Sequence, residues 1–185
     1  MSIVGQPERA TQERIILMLR TELGYRYLGD WADRPDNSNI EEGLLTTWLT
    51  ERGYTGPQIS VALHKLRTEA DSHSRTLYGN NQAVYNLLRY GVPVKTEAGK
   101  VTETVHLVNW QAPEQNDFAV AEEVTLKGDH ERRPDIVLYV NGIAVGVMEL
   151  KNSRVSIGRH PSKPLEPAAG VQRLVLQHRA AHLRR

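Results

Sequence analysis

The spacing of apolar residues changes part-way along this chain. From Glu8 to Leu23, Ile15, Ile16, Leu19 and Leu23 recur at three- and four-residue steps. Gly24 follows, so the stretch predicts an amphipathic helix with a glycine stop. Residues 25–37 (YRYLGDWADRPDN) read as a loop. A second helix is predicted from about Ile40 to Arg52, capped by Ser38 or Asn39, with Glu41 and Glu42 placed where the helix dipole favours acids. Gly53-Tyr54-Thr55-Gly56-Pro57 breaks it. A third runs from Pro57, tolerated at a first helical position, to Ala70, and a fourth from about Asn80 to Tyr90, ending before Gly91. Beyond this the pattern predicts strands at Val92–Val94, Val101–Val108 and Phe118–Leu126. Two apolar, β-branched runs then meet at Asn141-Gly142, a strong hairpin signal. Helices followed by strands predict an α/β or α+β domain with the late strands as its core sheet.

Composition narrows this. A chain of 185 residues fits one domain, which buries roughly 70% of its unfolded surface without covalent staples. There is no cysteine, which rules out disulfides and cysteine-ligated zinc and suits a reducing, cytoplasmic setting. No leader pattern and no apolar run of membrane-spanning length occurs, so a soluble protein without a membrane partner is expected. The net charge of +1 conceals an asymmetry: residues 1–158 hold 17 basic and 21 acidic side chains, and the remainder six and one. Overall basicity therefore gives no argument for nucleic acid in the folded part.

The hairpin carries the candidate chemistry. Its first strand opens with Pro134-Asp135 and its second, wholly apolar, ends in Glu149-Leu150-Lys151. Alternation puts Glu149 and Lys151 on one face. Whether Asp135 shares that face depends on register. A two-residue turn pairs Val140 with Ile143 and separates the carboxylates. A three-residue loop with Gly142 as a bulge, or a bulge elsewhere, brings them together. Two carboxylates on one face suit Mg²⁺, which retains waters and accepts a phosphate oxygen. A lysine beside them can orient a water and stabilise developing negative charge. The plainer alternative is an alternating, solvated strand edge.

The segments LGYRYLG (23–29), NDFAVAEEV (116–124) and RRPDIVLYVNGIAVGVMELK (132–151) resemble the PD-(D/E)xK nuclease motif, and more narrowly the N-terminal nuclease region of the R subunit of type I restriction–modification enzymes. The resemblance covers about residues 8–157. It implies an α/β, restriction-endonuclease-like αβββαβ core and Mg²⁺-dependent cleavage of double-stranded DNA. Asp135 and Glu149 match the metal-binding acids and Lys151 the catalytic lysine; the expected metal ligands are both carboxylates and the Leu150 backbone carbonyl. Glu8 or Glu13 could supply a further acid from the first helix. The resemblance also implies modification and specificity subunits as partners. ATP would serve only the family's motor domains, and no G-x-x-x-x-G-K-[ST] phosphate loop is present, so the chain reads as a nuclease module without its motor.

The expected division is a nuclease domain over 1–157, helical to residue 90 and sheet thereafter, and an atypical basic tail over 158–185. After the lysine the family has a helix opening with a Gly-Ile-Arg-Gln-Asn-Leu run. Here Arg159–Ala168 follows instead, and its back-translation, shifted by one base, can read that run. A frameshift near Gly158 is the resulting expectation. Gln172 and Gln177 are the only glutamines of the tail, and neither has a tyrosine four residues on, so neither is assigned the role of the family's helix glutamine.

Two rival functions are non-catalytic: a helix-turn-helix over residues 41–66, and a platform docking the other subunits. The first offers only Lys65 and Arg67 near the far end of its second helix, whereas base readout uses the start of such a helix. No H-E-x-x-H and no G-x-S-x-G is present, and Trp31, Trp48 and Trp110 are too scattered for a stacking platform.

Overall fold

A computed structural model describes residues 8–97, 99, 101–126 and 131–150. In chain order the elements are α1 (Glu8–Thr21), β1 (Arg26–Asp30), α2 (Glu42–Glu51), α3 (Gly56–Ala70), α4 (Leu77–Tyr90), β2 (Val92–Val94), β3 (Glu103–Val105), β4 (Phe118–Glu122), β5 (Ile136–Val140) and β6 (Ile143–Met148). Among the described residues the domain is α/β, with four α-helices and a mixed four-stranded sheet ordered β1-β4-β5-β6. β1 runs parallel to β4, and the other pairs are antiparallel. β2 and β3 form a separate two-stranded ribbon. None of the described helices is long and apolar enough to cross a membrane.

Alternation divides the sheet's side chains between two cores. Val120 and Ile136 pack under Ile16 and Leu19 of α1, while Ala119, Ala121, Val137 and Tyr139 pack on the other side with Trp31. A third core joins α2, α3, α4 and the ribbon and takes in Ile143 from the closed end of the hairpin.

Several expectations change. The stretch 25–37 is not all loop, because its first residues form β1. Tyr25 and Tyr27 do alternate toward α1, but Leu28 is an extra residue against β4 and Gly29 sits at φ +112°, so the two-residue period breaks after two steps. The ribbon lies outside the main sheet, and the expected Val101–Val108 strand is reduced to Glu103–Val105. The expected Phe118–Leu126 strand ends at Glu122, followed by Glu123 at φ +52°.

α2 is capped by neither Ser38 nor Asn39. Glu41 occupies the N-cap position, with its carboxylate turned back to accept from Arg34 at 2.7 and 3.0 Å and from Ser38 N–H at 3.0 Å. α4 begins three residues early, at Leu77, because the Thr76 hydroxyl accepts from Gly79 N–H. α2 and α3 form a packed pair. The first turn of α3 carries a capping box between Thr55 and Gln58, and Gln58 also donates to Glu103 of β3. Gln58 is thereby engaged by the fold, while Thr55, Gly56, Pro57 and Ser60 of the same turn are exposed.

Candidate active site at the open end of the hairpin

The hairpin turn has two residues: Val140 pairs with Ile143, and Asn141 and Gly142 both adopt positive φ, 52° and 81°. The three-residue loop is thus not the one formed. The register shifts further along, where Tyr139 pairs with Ala144 but Leu138 pairs with Gly146, leaving Val145 as an extra residue in β6. Without it the hairpin would pair Asp135 with Met148 and send Glu149 to the other face. With it Ile136 pairs with Met148, and the register continued by one pair sets Asp135 opposite Glu149. Residues directly opposite in an antiparallel ladder share a face. A second observation ties the same ends together: Leu150 N–H donates to Asp135 Oδ2 at 2.5 Å. Lys151 lies outside the described residues.

The main chain around Asp135 is fixed by the residues just after β4. Glu123 N–H donates to Asp135 O at 3.0 Å and Val124 N–H to Pro134 O at 3.3 Å. A side chain adds to this from α1: the amide of Gln12, 3% exposed, donates to Asp135 O at 3.2 Å, Glu122 Oε2 at 2.9 Å and Glu123 Oε1 at 3.2 Å. Glu122, 4% exposed, also accepts from the Tyr27 hydroxyl and pairs with Arg9 at 3.0 Å; Arg133 pairs with Glu123 at 3.2 Å. Two carboxylates beside the hairpin end are thereby held by fixed donors, which offsets the cost of burying them. Burial, and then the bond to Glu122, push the Tyr27 phenol up to about 12. The Arg9 guanidinium is raised by its bond to Glu13 and by the charge of Glu122.

The side chain of α1 that bonds at this end is Gln12. Glu13 is exposed and pairs with Arg9 at 3.2 Å. Glu8 is also exposed, but it lies one turn before Gln12 on the helix face that continues through Ile16 and Leu19. Gln12 was legible only as the next step of that stripe, four residues before Ile16. Among the described residues no group of three or more His, Cys, Asp or Glu side chains is arranged to hold a metal. A cation at this end would rest on two carboxylates with main-chain or phosphate oxygens, a donor set that suits Mg²⁺.

The model of the family described as type I restriction enzyme R protein N terminus matches residues 5–162. The chain belongs to that family. Two curated proteins of Methanocaldococcus jannaschii are similar to this R-protein N-terminal chain. One, named "Putative type I restriction enzyme MjaIXP endonuclease subunit", is 28% identical over 116 residues, covering 60% of this chain and 10% of the relative. Its MjaVIIIP counterpart, named in the same terms, is 30% identical over 98 residues, covering 53% and 9%. The match thus spans about a tenth of the length of these relatives.

Proposed function

We propose that this chain is the DNA endonuclease module of a type I restriction enzyme R subunit, with a PD-(D/E)xK core that hydrolyses phosphodiester bonds of double-stranded DNA in a Mg²⁺-dependent reaction. The observation that carries the reading is the extra residue Val145: with it, the register continued one pair beyond Ile136–Met148 brings Asp135 opposite Glu149, which the two-residue turn alone would part. In this reading Asp135, Glu149 and the Leu150 carbonyl hold the cation. Once bound, it would shield charge on the scissile phosphate and make a nearby water more acidic. The Leu150 N–H fixes the Asp135 carboxylate through one oxygen, leaving its geometry prepared before substrate arrives. Lys151, two residues beyond Glu149, orients the attacking water and stabilises the negative charge that develops on phosphate. Gln12 holds the Asp135 main chain against β4.

Modification and specificity subunits are the partners this reading assigns. The frameshift near Gly158 stays part of the proposal: the family match stops at residue 162, a few residues into the atypical tail, whose structure lies outside the described residues. The encoding DNA tests that point, because codons that cannot yield the Gly-Ile-Arg-Gln-Asn-Leu run in another frame eliminate it.

The activity itself is tested on supercoiled plasmid with Mg²⁺ and with EDTA. Wild type is expected to cut only with Mg²⁺, and Asp135→Ala or Lys151→Ala to lose at least about 100-fold of the rate, the scale of removing one transition-state stabilising group. Cutting that survives in Asp135→Ala, or proceeds in EDTA, overturns the assignment. DNA retention without cutting in wild type favours the binding-module alternative.

A further inference from the structure

The outer face of α4 differs from the rest of the domain in charge and in chemistry. Residues 72–96 contain no Asp or Glu; of their cations Arg75 pairs with Glu69 at 2.5 Å, which leaves Arg89 and Lys95, while residues 1–158 as a whole carry more acids than bases. α4 buries Asn80, Val84, Leu87 and Leu88. On the opposite side, Tyr78, Gln82, Tyr85 and Arg89 follow at steps of four, three and four residues, which aligns them in one stripe. The eleven steps from Tyr78 to Arg89 make that stripe about 16 Å long. Tyr78 is 76% exposed and Tyr85 51%. At its end the Arg89 guanidinium stands 5.4 Å from the ring centroid of Trp110, whose indole N–H donates to Leu88 O at 2.7 Å. Arg89 is thus oriented by an aromatic face, and no carboxylate neutralises it among the described residues.

We infer that this stripe is a second contact surface for duplex DNA, gripping backbone phosphates away from the scissile bond. Two phenols, a carboxamide and a guanidinium are all donors to phosphate oxygens, and such contacts position a protein on DNA without reading sequence. A stripe of about 16 Å covers roughly five base steps at 3.4 Å per step. An aliphatic docking face for another protein would instead present Leu, Ile or Met along its centre, and this stripe has none. The lobe that carries it packs on the closed end of the hairpin through Ile143, whereas Asp135 and Glu149 stand at the open end, so the two contacts are separate. The inference rests on DNA being the substrate of the proposed site.

The test is fluorescence anisotropy with a labelled 30-base-pair duplex and the full chain, in EDTA so that no cutting occurs, across a salt series. The variants are the triple Tyr78→Ala/Tyr85→Ala/Arg89→Ala and the single Arg89→Glu, with circular dichroism as a check of folding. All three side chains are exposed, and the single charge reversal provides a reading should the triple variant fold poorly. The triple variant is expected to bind at least about tenfold more weakly, and Arg89→Glu to flatten the log Kd against log salt slope by about one. Duplex affinity within twofold of wild type in both variants, or no duplex binding by wild type at low salt, overturns the inference. So does a loss confined to a single-stranded oligonucleotide, which would assign the tyrosines to base stacking. Stripe-dependent binding combined with absent cleavage would count against the nuclease reading alone; normal cleavage with stripe-independent binding would count against the stripe alone.

Discussion

The two ends of one hairpin are built on opposite principles. At the closed end, Asn141 is fully buried. Its side chain accepts from Asp117 N–H at 2.7 Å and donates to Leu107 O and Asn116 Oδ1 at 2.9 Å each. Gly142 O accepts from Glu41 N–H at 2.8 Å, which seats the turn against the start of α2. Every polar group named there has a partner within the fold. At the open end, the register continued past Ile136–Met148 brings Asp135 and Glu149 to one face, and Leu150 N–H donates to Asp135. The closed end is sealed by partners within the fold, and the open end gathers acidic side chains at the margin of the sheet.

The sharpest way to break the comparison is Asp135→Asn. The amide keeps an oxygen to accept from Leu150 N–H, so shape is preserved while the charge facing Glu149 is removed. On the proposed reading DNA cleavage falls by about a thousandfold, about 4 kcal/mol on the barrier. The melting temperature is expected to stay close to that of wild type, because the amide oxygen still accepts from Leu150 N–H. Calorimetry beside the plasmid assay checks both. A variant that cuts normally, or that loses cutting only because it unfolds, removes the distinction between the ends.

How far this could be read from the sequence follows the same division. The helices were legible because their apolar residues repeat every three or four positions, and the hairpin because Asn-Gly supplies two residues that tolerate positive φ. The acids were legible as charges closing apolar runs. The register that unites them was not, since IAVGVM is apolar on both faces and gives no alternation from which an extra residue could be counted. The first strand was hidden in the same way, by an extra residue at Leu28. Both irregularities lie in the outer strands of the sheet, where bulges commonly occur. Gln12 and Glu41 were missed for another reason: their roles depend on partners more than a hundred residues away for Gln12, and on a carboxylate folded back onto Arg34 for Glu41.

A second, somewhat smaller effect belongs to the closed end. A Cβ on Gly142 would lie 2.7 Å from Glu41 O, 2.8 Å from Leu44 Cβ and 2.9 Å from Leu45 N, and φ is +81°. Left-handed backbone strain of about 1–2 kcal/mol and overpacking of about 1–3 kcal/mol combine, so Gly142→Ala is expected to cost about 3 kcal/mol. Gly29→Ala is the control: φ is +112°, but nothing lies within 4 Å of the added carbon. Its cost is about 1–2 kcal/mol, from backbone strain alone. Urea midpoints with unchanged m-values compare the two. Equal losses would mean that the hairpin tip is not seated on α2.

The smallest effect probes the donors beside the open end through pH. Burial and the bond to Glu122 push the Tyr27 phenol up to about 12, above the ordinary value near 10. Between about pH 10 and 12 the unfolded chain gives up a proton that the folded one keeps. Stability therefore falls as pH rises through that window, by at most about 1.4 kcal/mol per pH unit for this one group, and is unaffected by it below. Tyr139, raised by its own burial, acts in the same direction and remains in any variant of Tyr27. Tyr27→Phe is expected to cost about 2 kcal/mol at pH 7, from the lost bond to a carboxylate, and then to lose stability less steeply than wild type above pH 10. Parallel curves from pH 9 to 11.5 would mean that Glu122 does not hold the phenol, and that the donor set beside the hairpin's open end is looser than the one that seals its closed end.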